Sequence, residues 1–372
     1  MIKLDEVICN FATQFFWRKI IFCLFKKNDK IFMQLTARID TLVQLGKYLR
    51  EKPASLHRVV VKACLENPWF TKEHVYDAIE AICAEFLDEK KLLTWLDRYD
   101  FEDIEQPTKT VGIVMAGNIP LVGFHDFLCV FMSGQKAMVK LSSKDNQLFK
   151  YIAKTLFEIS PEIVSYIEMP PLFKNFDAVI ATGSNNSSRY FDYYFGKYPH
   201  IIRKSRSSVA ILSGKETTED IEKLGLDIFK YLGLGCRNVS KLFVPKDFDF
   251  VRFLDALQPY SDVQHHNKYK NNYDYYRSIY LLNREHHYAS NFVMLVEKEA
   301  VASPISTLYY EFYENEDDLS NKLIENRNDI QCVVGDRNLH GDCIAFGEAQ
   351  KPQLWEYSDN VDTLQFLIDL GK

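Results

Sequence analysis

The sequence predicts an α/β protein with parallel sheets, divided into two unequal lobes. Short apolar runs rich in β-branched residues begin near residue 110, helical stretches separate them, and the same alternation resumes after Gly214. Strands that alternate with helices are typical of βαβ units, in which helices cover a parallel sheet. The change from one lobe to the other is expected within 205–215.

The composition excludes several classes of protein. A hydrophobic content of 47% with 26% charged residues excludes wholesale disorder. The 45 basic and 51 acidic residues give a net charge of −6, which argues against a dedicated nucleic-acid binder. Eight cysteines without a C-x-x-C pair do not predict a disulfide framework, and no apolar run approaches the roughly 18 residues of a membrane span. We therefore expect a cytoplasmic protein with reduced thiols.

The N-terminal part is expected to be helical. Residues 1–32 are interpreted as a leader or upstream extension outside the fold, because the apolar run Ile20–Phe25 is too short for a signal peptide. From Met33 onwards leucine and isoleucine recur at helical spacing. Helices are predicted at 33–52, Lys72–Phe86 and Asp88–Tyr99.

The alternating part predicts the remaining elements in two groups. In the first lobe the expected strands are Val111–Met115, Met138–Leu141 and Ala178–Ala181, and the expected helices are Leu121–Met132, Asn146–Ile159 and Ser187–Phe195. In the second lobe the expected order is helix Glu219–Leu232, strand Val239–Val244, helix Phe248–Leu257 and a polar, tyrosine-rich loop Tyr260–Tyr276. Further strands are expected at Ser278–Leu282, Phe292–Val296, Thr307–Phe312 and Gln331–Val334.

Three segments combine a special backbone with a chemically useful residue. Met115–Leu121 follows a strand and offers the Asn118 amide at the edge where ligands of α/β proteins bind, although asparagine there also suits a turn or helix cap. Ala181–Ser184 again joins a strand to a helix, and either binds an anion or simply caps that helix. No metal site is predicted, because Cys332, His340 and Cys343 lack zinc-site spacing.

The third segment, Leu232–Asn238, contains Cys236 between glycines that permit a tight turn. Arg237 and neighbouring backbone N–H groups are expected to favour the thiolate, which is the nucleophilic form. The alternative interpretation is a cysteine buried as a small apolar side chain. His265 or His266 is a further candidate, for proton transfer.

In this order and spacing the three segments resemble the aldehyde dehydrogenase superfamily. The resemblance implies that Cys236 is the nucleophile, that Asn118 binds the oxyanion, and that Lys140 contacts the ribose of the cofactor. Thr182, Gly183 and Ser184 match the superfamily's T-G-S before the cofactor-facing helix. The stretches 234–245 and 265–283 are similar to the long-chain fatty acyl-CoA reductases of the LuxC type, and the similarity runs from about Met33 to the C-terminus.

Departures from the superfamily pattern narrow the expected reaction. Arg203 stands where hydrolytic members have the glutamate that activates water, so hydrolysis of an acyl-enzyme should be slow. Ser143, followed by Lys144, replaces the carboxylate that binds the 2′-hydroxyl of NAD, which favours NADPH, with NADH as the alternative. Glu299 lies one place away from the position of the second ribose-binding glutamate, and Ser188 replaces the glycine that the usual motif has five places after Gly183.

The resemblance implies a Rossmann-like cofactor domain joined to a second α/β catalytic domain. The expected boundaries are 33–212 for the helical segment and cofactor domain, 213–345 for the catalytic domain, and 346–372 for a C-terminal segment packing back on the fold. The expected activity is NADPH-dependent reduction of a long-chain fatty acyl thioester through an acyl-cysteine. The alternatives are an acyl-accepting or noncatalytic subunit of a fatty-acid reductase complex, and an aldehyde dehydrogenase working oxidatively. Expected partners are long-chain acyl-CoA or an acyl-protein thioester, an acyl-protein synthetase, and further copies of the chain.

Overall fold

Two β-sheets flanked by helices make up the architecture of the chain. The computed structural model describes residues 33–101, 109–337 and 340–371. The predicted leader, 1–32, lies outside the described residues. No helix within the described ranges is both long enough and apolar enough to cross a bilayer.

The α-helices are spread along the whole described chain. They are α1 (Leu35–Arg50), α2 (Ala54–Glu66), α3 (Lys72–Ala81), α4 (Glu89–Leu96), α5 (Phe124–Met132), α6 (Gln147–Ile159), α7 (Asn185–Phe195), α8 (Thr218–Phe229), α9 (Phe250–Ala256), α10 (Asn267–Leu282), α11 (Glu316–Glu325) and α12 (Thr363–Gly371). A π-helical turn, Ile82–Phe86, extends α3, and 3₁₀ turns lie at Pro161–Ser165 and Gln258–His265. Two further turns, Lys230–Gly233 and Ser358–Asn360, contain left-handed residues.

The strands begin after the N-terminal helices. They are β1 (Thr110–Val114), β2 (Lys136–Lys140), β3 (Ile167–Glu168), β4 (Ala178–Thr182), β5 (His200–Arg203), β6 (Ser207–Ile211), β7 (Val239–Pro245), β8 (His287–Ala289), β9 (Met294–Glu297), β10 (Thr307–Tyr313) and β11 (Ile330–Val334). Most predicted strands lie within a few residues of an observed one, since apolar β-branched runs bounded by turns are the strongest local strand signal.

The first sheet has the strand order β3-β2-β1-β4-β5, and all of its pairs are parallel. The chain moves outward from β1 to β3 and then returns to place β4 on the other side of β1. In open α/β sheets such a reversal opens a crevice at the carboxyl ends of the two strands, where ligands bind. The loops after β1 and β4, which contain Asn118 and Ser184, therefore face each other.

The second sheet has the order β11-β6-β7-β10-β9-β8, with only the edge pair β8–β9 antiparallel. The chain passes from one sheet to the other between Arg203 and Ser207, which overlaps only the start of the range 205–215. Strand β6, which the predicted boundary at 212 assigns to the first domain, pairs with β7 and β11 in the second sheet.

The C-terminal segment returns to the first lobe. Leu364, Leu367 and Ile368 of α12 are buried in the core that surrounds the first sheet. Upstream of α12, the Tyr357 hydroxyl accepts a hydrogen bond of 2.7 Å from the Trp95 indole nitrogen of α4. This contact ties the N-terminal helices to the end of the described chain, 262 residues away.

Two local predictions in the second lobe are wrong. The expected loop Tyr260–Tyr276 is helical, and the expected strand Ser278–Leu282 is the last part of α10. Buried Tyr269, Tyr273 and Tyr280 recur at the spacing of one helix face, and they anchor this otherwise polar helix. The last residues of α10 have the apolar composition of a buried strand, but in the structure Leu282 is 79% exposed at the end of a helix. Helix α2 was not predicted at all.

Candidate active site

The loops after β1 and β2 touch at the carboxyl edge of the first sheet. A Cβ atom on Gly117 would lie only 2.7 Å from the Ser142 Oγ, so this approach requires glycine. Lys140, the last residue of β2, and Ser143 and Lys144 in the loop that follows are exposed. The structure thus places the predicted ribose-contacting residues one loop away from Asn118.

The T-G-S segment follows β4 at the same edge. Ser184 is the N-cap of α7, and its Oγ accepts a 3.3 Å hydrogen bond from the Ser187 N–H. A Cβ on Gly183 would meet the Phe191 ring at 2.7 Å, so the strand and helix pack closely at this point. The helix-capping alternative is therefore present. The capped helix N-terminus also lies at this crevice, and helix N-termini suit a phosphate.

Asn118 joins the two lobes. Its Nδ2 donates a 2.8 Å hydrogen bond to the Leu234 carbonyl, in the loop that carries Cys236. The alternative interpretation as a helix cap does not hold, because α5 begins after Gly123 without a side-chain cap. The backbone beyond Asn118 is unusual at Leu121, where φ is +57° and the N–H donates 2.8 Å to Asp145 Oδ2.

The loop before Cys236 has a strained backbone. Tyr231, Leu232 and Gly233 are consecutive left-handed residues, with φ of 52°, 59° and 75°. For residues other than glycine this conformation costs roughly 1–3 kcal/mol each and persists only where the surroundings enforce it. The enforcing residue is buried Asn238, whose Nδ2 donates to the carbonyls of Asp227 (3.0 Å) and Lys230 (2.9 Å), and more weakly to that of Ile228 (3.3 Å).

The same asparagine also orients the turn at Cys236. Asn238 Oδ1 accepts a 2.8 Å hydrogen bond from the Gly235 N–H. From the neighbouring strand, the buried Ser208 hydroxyl donates a 3.0 Å bond to the Cys236 carbonyl. Backbone groups on both sides of the Cys236 thiol are therefore held by buried side chains.

The electrostatics at Cys236 differ from the prediction. Desolvation raises the pKa of the thiol, and Arg237 opposes this shift without reversing it. The Arg237 guanidinium is also engaged elsewhere, donating 3.2 Å to the Ala349 carbonyl and lying 3.8 Å from a Glu356 carboxylate oxygen. Arg237 thus stabilises the thiolate as expected, but burial raises the pKa of the thiol by more than Arg237 lowers it.

Cys236 lines a cavity of about 160 Å³ between the lobes. One wall is apolar and consists of Ala78, Ala81, Ile82, Phe86, Ile119, Pro120, Leu121 and Val122. The cavity adjoins a larger groove of about 520 Å³, because Ala81, Glu85, Tyr231, Gln350 and Lys351 line both. A path lined by apolar and polar groups therefore leads from the thiol to the surface.

His125 lines this cavity and was missed by sequence reasoning. Its Nε2 lies 2.9 Å from the Leu354 carbonyl, which can only accept, so Nε2 carries the proton. Burial lowers the pKa of this imidazole, which keeps it neutral. The only available signal was its position shortly after the Asn118 segment. The histidines that were predicted lie elsewhere: His266 caps α10 and stacks on Trp69, and neither His265 nor His266 lines the cavity.

Arg203 ends β5 beside Thr182, its partner in the parallel pair. Its side chain is buried and forms an ion pair with Asp126 at 3.0 Å and a 2.8 Å hydrogen bond to the Thr363 hydroxyl. The residue that the sequence resemblance aligns with the general base of hydrolytic members is therefore a buried, paired cation. The Glu85 carboxylate does line the cavity, but it is bound by Lys91 and by Gln353 Nε2.

Glu299 is not brought to the Cys236 cavity. It is exposed in the loop after β9, and its backbone carbonyl accepts a hydrogen bond from Lys241. It lines a separate groove with Lys298 and Glu311, which shares no lining residue with the Cys236 cavity. Among the described residues, no group of three or more His, Cys, Asp or Glu side chains is arranged to hold a metal ion.

Comparison with known proteins shows the family and the fold of the chain. A family model described as acyl-CoA reductase (LuxC) matches residues 44–252. A comparison with curated protein sequences finds no significant match. An aldehyde dehydrogenase from Physcomitrella patens in complex with succinate has a similar structure, with a TM-score of 0.64 at 11% identity, covering 91% of this chain and 84% of its own.

Other structural neighbours have the same fold. An aldehyde dehydrogenase from Bacillus cereus in complex with NAD⁺ superposes with a TM-score of 0.61 at 14% identity, covering 86% of this chain and 77% of its own. An NAD⁺ complex of a Mycobacterium tuberculosis aldehyde dehydrogenase has a TM-score of 0.61 at 12% identity, covering 82% and 74% of the two chains. The fold is therefore that of the aldehyde dehydrogenases.

Proposed function

Because the chain belongs to the LuxC family of acyl-CoA reductases, we propose that it reduces a long-chain fatty acyl thioester to the aldehyde through an acyl-cysteine on Cys236. Family membership places the chain among oxidoreductases that act on acyl or aldehyde groups. The observation that carries the finer proposal is the position of Cys236. Buried side chains hold its loop, the residue lines a cavity with one apolar wall, and the Leu234 carbonyl of the same loop accepts a hydrogen bond from Asn118.

The first step uses only groups of this chain. The Cys236 thiolate attacks the carbonyl carbon of the thioester, and the tetrahedral oxyanion then collapses and expels the thiolate of the acyl donor. The two proposed oxyanion donors are the Cys236 backbone N–H and the Asn118 amide. Nδ2 of Asn118 has two hydrogens, and one of them is committed to Leu234. Removing one such donor typically costs about 3–4 kcal/mol of transition-state stabilisation.

The crevice of the first sheet fits a nicotinamide dinucleotide. The close approaches at Gly117 and Gly183 leave backbone groups accessible, and the N-terminus of α7 offers N–H donors for a pyrophosphate. Lys140 and Lys144 add positive charge at the same edge. When bound there, the reduced cofactor supplies the hydride that converts the acyl-cysteine into aldehyde and free thiol. We propose NADPH rather than NADH, since Ser143 and Lys144 bring no carboxylate that would repel a 2′-phosphate.

The surroundings of the acyl-cysteine favour reduction over hydrolysis. Arg203 is paired with Asp126 and accepts no proton. Neutral His125 has its Nε2 proton bonded to the Leu354 carbonyl, and its Nδ1 lies 3.9 Å from the sulfur of buried Cys129. Neither group is placed to activate water as a general base. The same argument disfavours an aldehyde dehydrogenase producing free acids.

Single-turnover labelling tests the proposal. The protein is mixed with radiolabelled long-chain acyl-CoA, quenched, and treated with hydroxylamine to identify a thioester; NADPH is then added to a parallel sample. We expect a hydroxylamine-sensitive adduct that NADPH releases as aldehyde, and we expect Cys236→Ala to abolish it. Cys343→Ala is the matched control, since that cysteine is buried and absent from the cavity lining.

The outcomes separate the alternatives. Labelling that persists in Cys236→Ala would exclude the proposed nucleophile. A Cys236 adduct that neither NADPH nor NADH discharges would indicate an acyl-accepting subunit of a larger complex. Release as free fatty acid would indicate hydrolysis and contradict the role assigned to Arg203.

A further inference from the structure

A second cysteine lies beside the loop of Cys236. Cys332 is in β11, and its Sγ is 3.0 Å from the Ser208 Oγ of β6. The same Ser208 hydroxyl is 3.0 Å from the Cys236 carbonyl oxygen. Two contacts of 3.0 Å through one atom place the Cys332 sulfur no more than 6.0 Å from the Cys236 backbone.

A strand irregularity directs Cys332 toward this position. Strand β6 lies between β7 and β11, with Ser207 opposite Ile330 and Val209 opposite Val333. Between these pairs one residue of β6, Ser208, faces two residues of β11. Such a bulge re-aims side chains and is frequent next to active sites.

Both thiols share one electrostatic environment. Arg237 lowers the pKa of each, against the desolvation that raises both, and negative charge on Cys236 raises the pKa of Cys332. Both residues are free, and Cys236 lines the cavity that adjoins the outer groove, which gives a small oxidant a route to this residue. The catalytic proposal uses only one of these sulfurs.

We propose that Cys332 is a resolving cysteine that captures Cys236 as a reversible disulfide when peroxide oxidises the nucleophile. The Cys236 thiolate attacks one oxygen of hydrogen peroxide, forming a sulfenic acid and releasing hydroxide. The Cys332 thiol then displaces the sulfenic oxygen, which leaves as water once it has taken up the thiol proton. An S–S bond results, two sulfurs have each lost one electron, and the peroxide has been reduced by two electrons.

Closure requires the Cys236 loop to move, because a disulfide needs Cα atoms roughly 4.4–6.8 Å apart. The Ser208 bond to the Cys236 carbonyl and the Asn238 bond to the Gly235 N–H must open, and the glycines at 233 and 235 then permit backbone conformations that other residues would not. The consequence is protection. A sulfenic acid without a thiol partner is oxidised further to the irreversible sulfinic acid, whereas a disulfide returns to two thiols with reductant.

Mass spectrometry of the full chain tests this inference without acyl donor or cofactor. The protein is treated with a small excess of hydrogen peroxide, its remaining thiols are alkylated, and the peptides are mapped with and without reductant. We expect a crosslink between the peptides of Cys236 and Cys332, and a mass lower by two hydrogen atoms. In Cys332→Ser we expect sulfinic acid at Cys236 instead, whereas Cys343→Ser should behave like the wild-type protein.

Recovery supplies the second measurement. After treatment with dithiothreitol, Cys236 of the wild-type protein should again react with iodoacetamide, whereas Cys236 of the Cys332→Ser variant should not. Cys332→Ala serves where the serine variant does not fold. Sulfinic acid at Cys236 in the wild-type protein, or a crosslink to any other cysteine, overturns the inference. Because the readout is mass, it is independent of whether Cys236 proves to carry an acyl group.

Discussion

The left-handed turn before Cys236 depends on one buried side chain, and Asn238→Ala tests this dependence. The Asn238 amide accepts one hydrogen bond from Gly235, and its two hydrogens serve the carbonyls of Asp227 and Lys230, with a longer contact to Ile228. Truncation leaves these groups without a partner in a site where the asparagine is 3% exposed. At about 1 kcal/mol for each of three bonds, we expect a loss of about 3 kcal/mol in the free energy of unfolding.

Urea denaturation measures this loss, and the rate of Cys236 alkylation reports whether the turn itself has loosened. Asn238→Asp keeps the acceptor for Gly235 but places a carboxylate against backbone carbonyls, so it should be destabilised at least as much as the alanine variant. The control Asn271→Ala changes an exposed residue of α10 and should stay within about 0.5 kcal/mol of the wild-type protein. The reasoning fails if Asn238→Ala is as stable as this control, because the turn would then be held by something else.

Four further outcomes are expected. The rate of Cys236 alkylation by iodoacetamide should rise through the alkaline pH range, with a midpoint above that of free cysteine. Arg237→Ala should move this midpoint higher still. An unchanged midpoint would show that Arg237 does not lower the pKa of Cys236. Burial raises the pKa of Asp227 from 3.8 to about 7, so its contribution to stability, complete below 3.8, is lost as the pH rises through 7; Asp227→Asn should flatten that part of the pH–stability curve, as followed by urea denaturation. Ala81→Phe, where the cavity meets the outer groove, should shift kcat/KM from long toward short acyl chains in a chain-length series, and an equal loss for all lengths would exclude a steric role. Lys144→Glu should raise KM for NADPH at least tenfold, about 1.4 kcal/mol, and leave KM for NADH much less affected; equal effects would place Lys144 away from the 2′-phosphate.

Local sequence was sufficient wherever a structural decision is local. Apolar β-branched runs located the inner strands of the first sheet and β7, β9 and β10 of the second, and a strand followed by a glycine and a capping serine marked the T-G-S turn. The same approach failed at α10, where burial of Tyr269, Tyr273 and Tyr280 against the second sheet gives a polar segment its only apolar face. Short β5 and β8 escaped detection because their pairing partners, rather than their own residues, define them as strands.

The sequence by itself determined the parts of the site: an asparagine after one strand, a T-G-S turn after another, and a cysteine between glycines. It also established the order of strands and helices that makes a parallel sheet with a crevice. Each of these depends on backbone preferences over a few neighbouring residues. These parts of the site can therefore be recognised from the sequence alone.

Only the tertiary structure decided how those parts work together. The Asn118–Leu234 contact spans 116 residues, and the Ser208–Cys332 contact spans 124. The placement of His125 in the cavity and the pKa of Cys236 depend on chain segments that approach from the other lobe and from the C-terminal segment. Desolvation and side-chain contacts are set by everything that packs around an atom, and no local pattern of residues records which distant segments those will be.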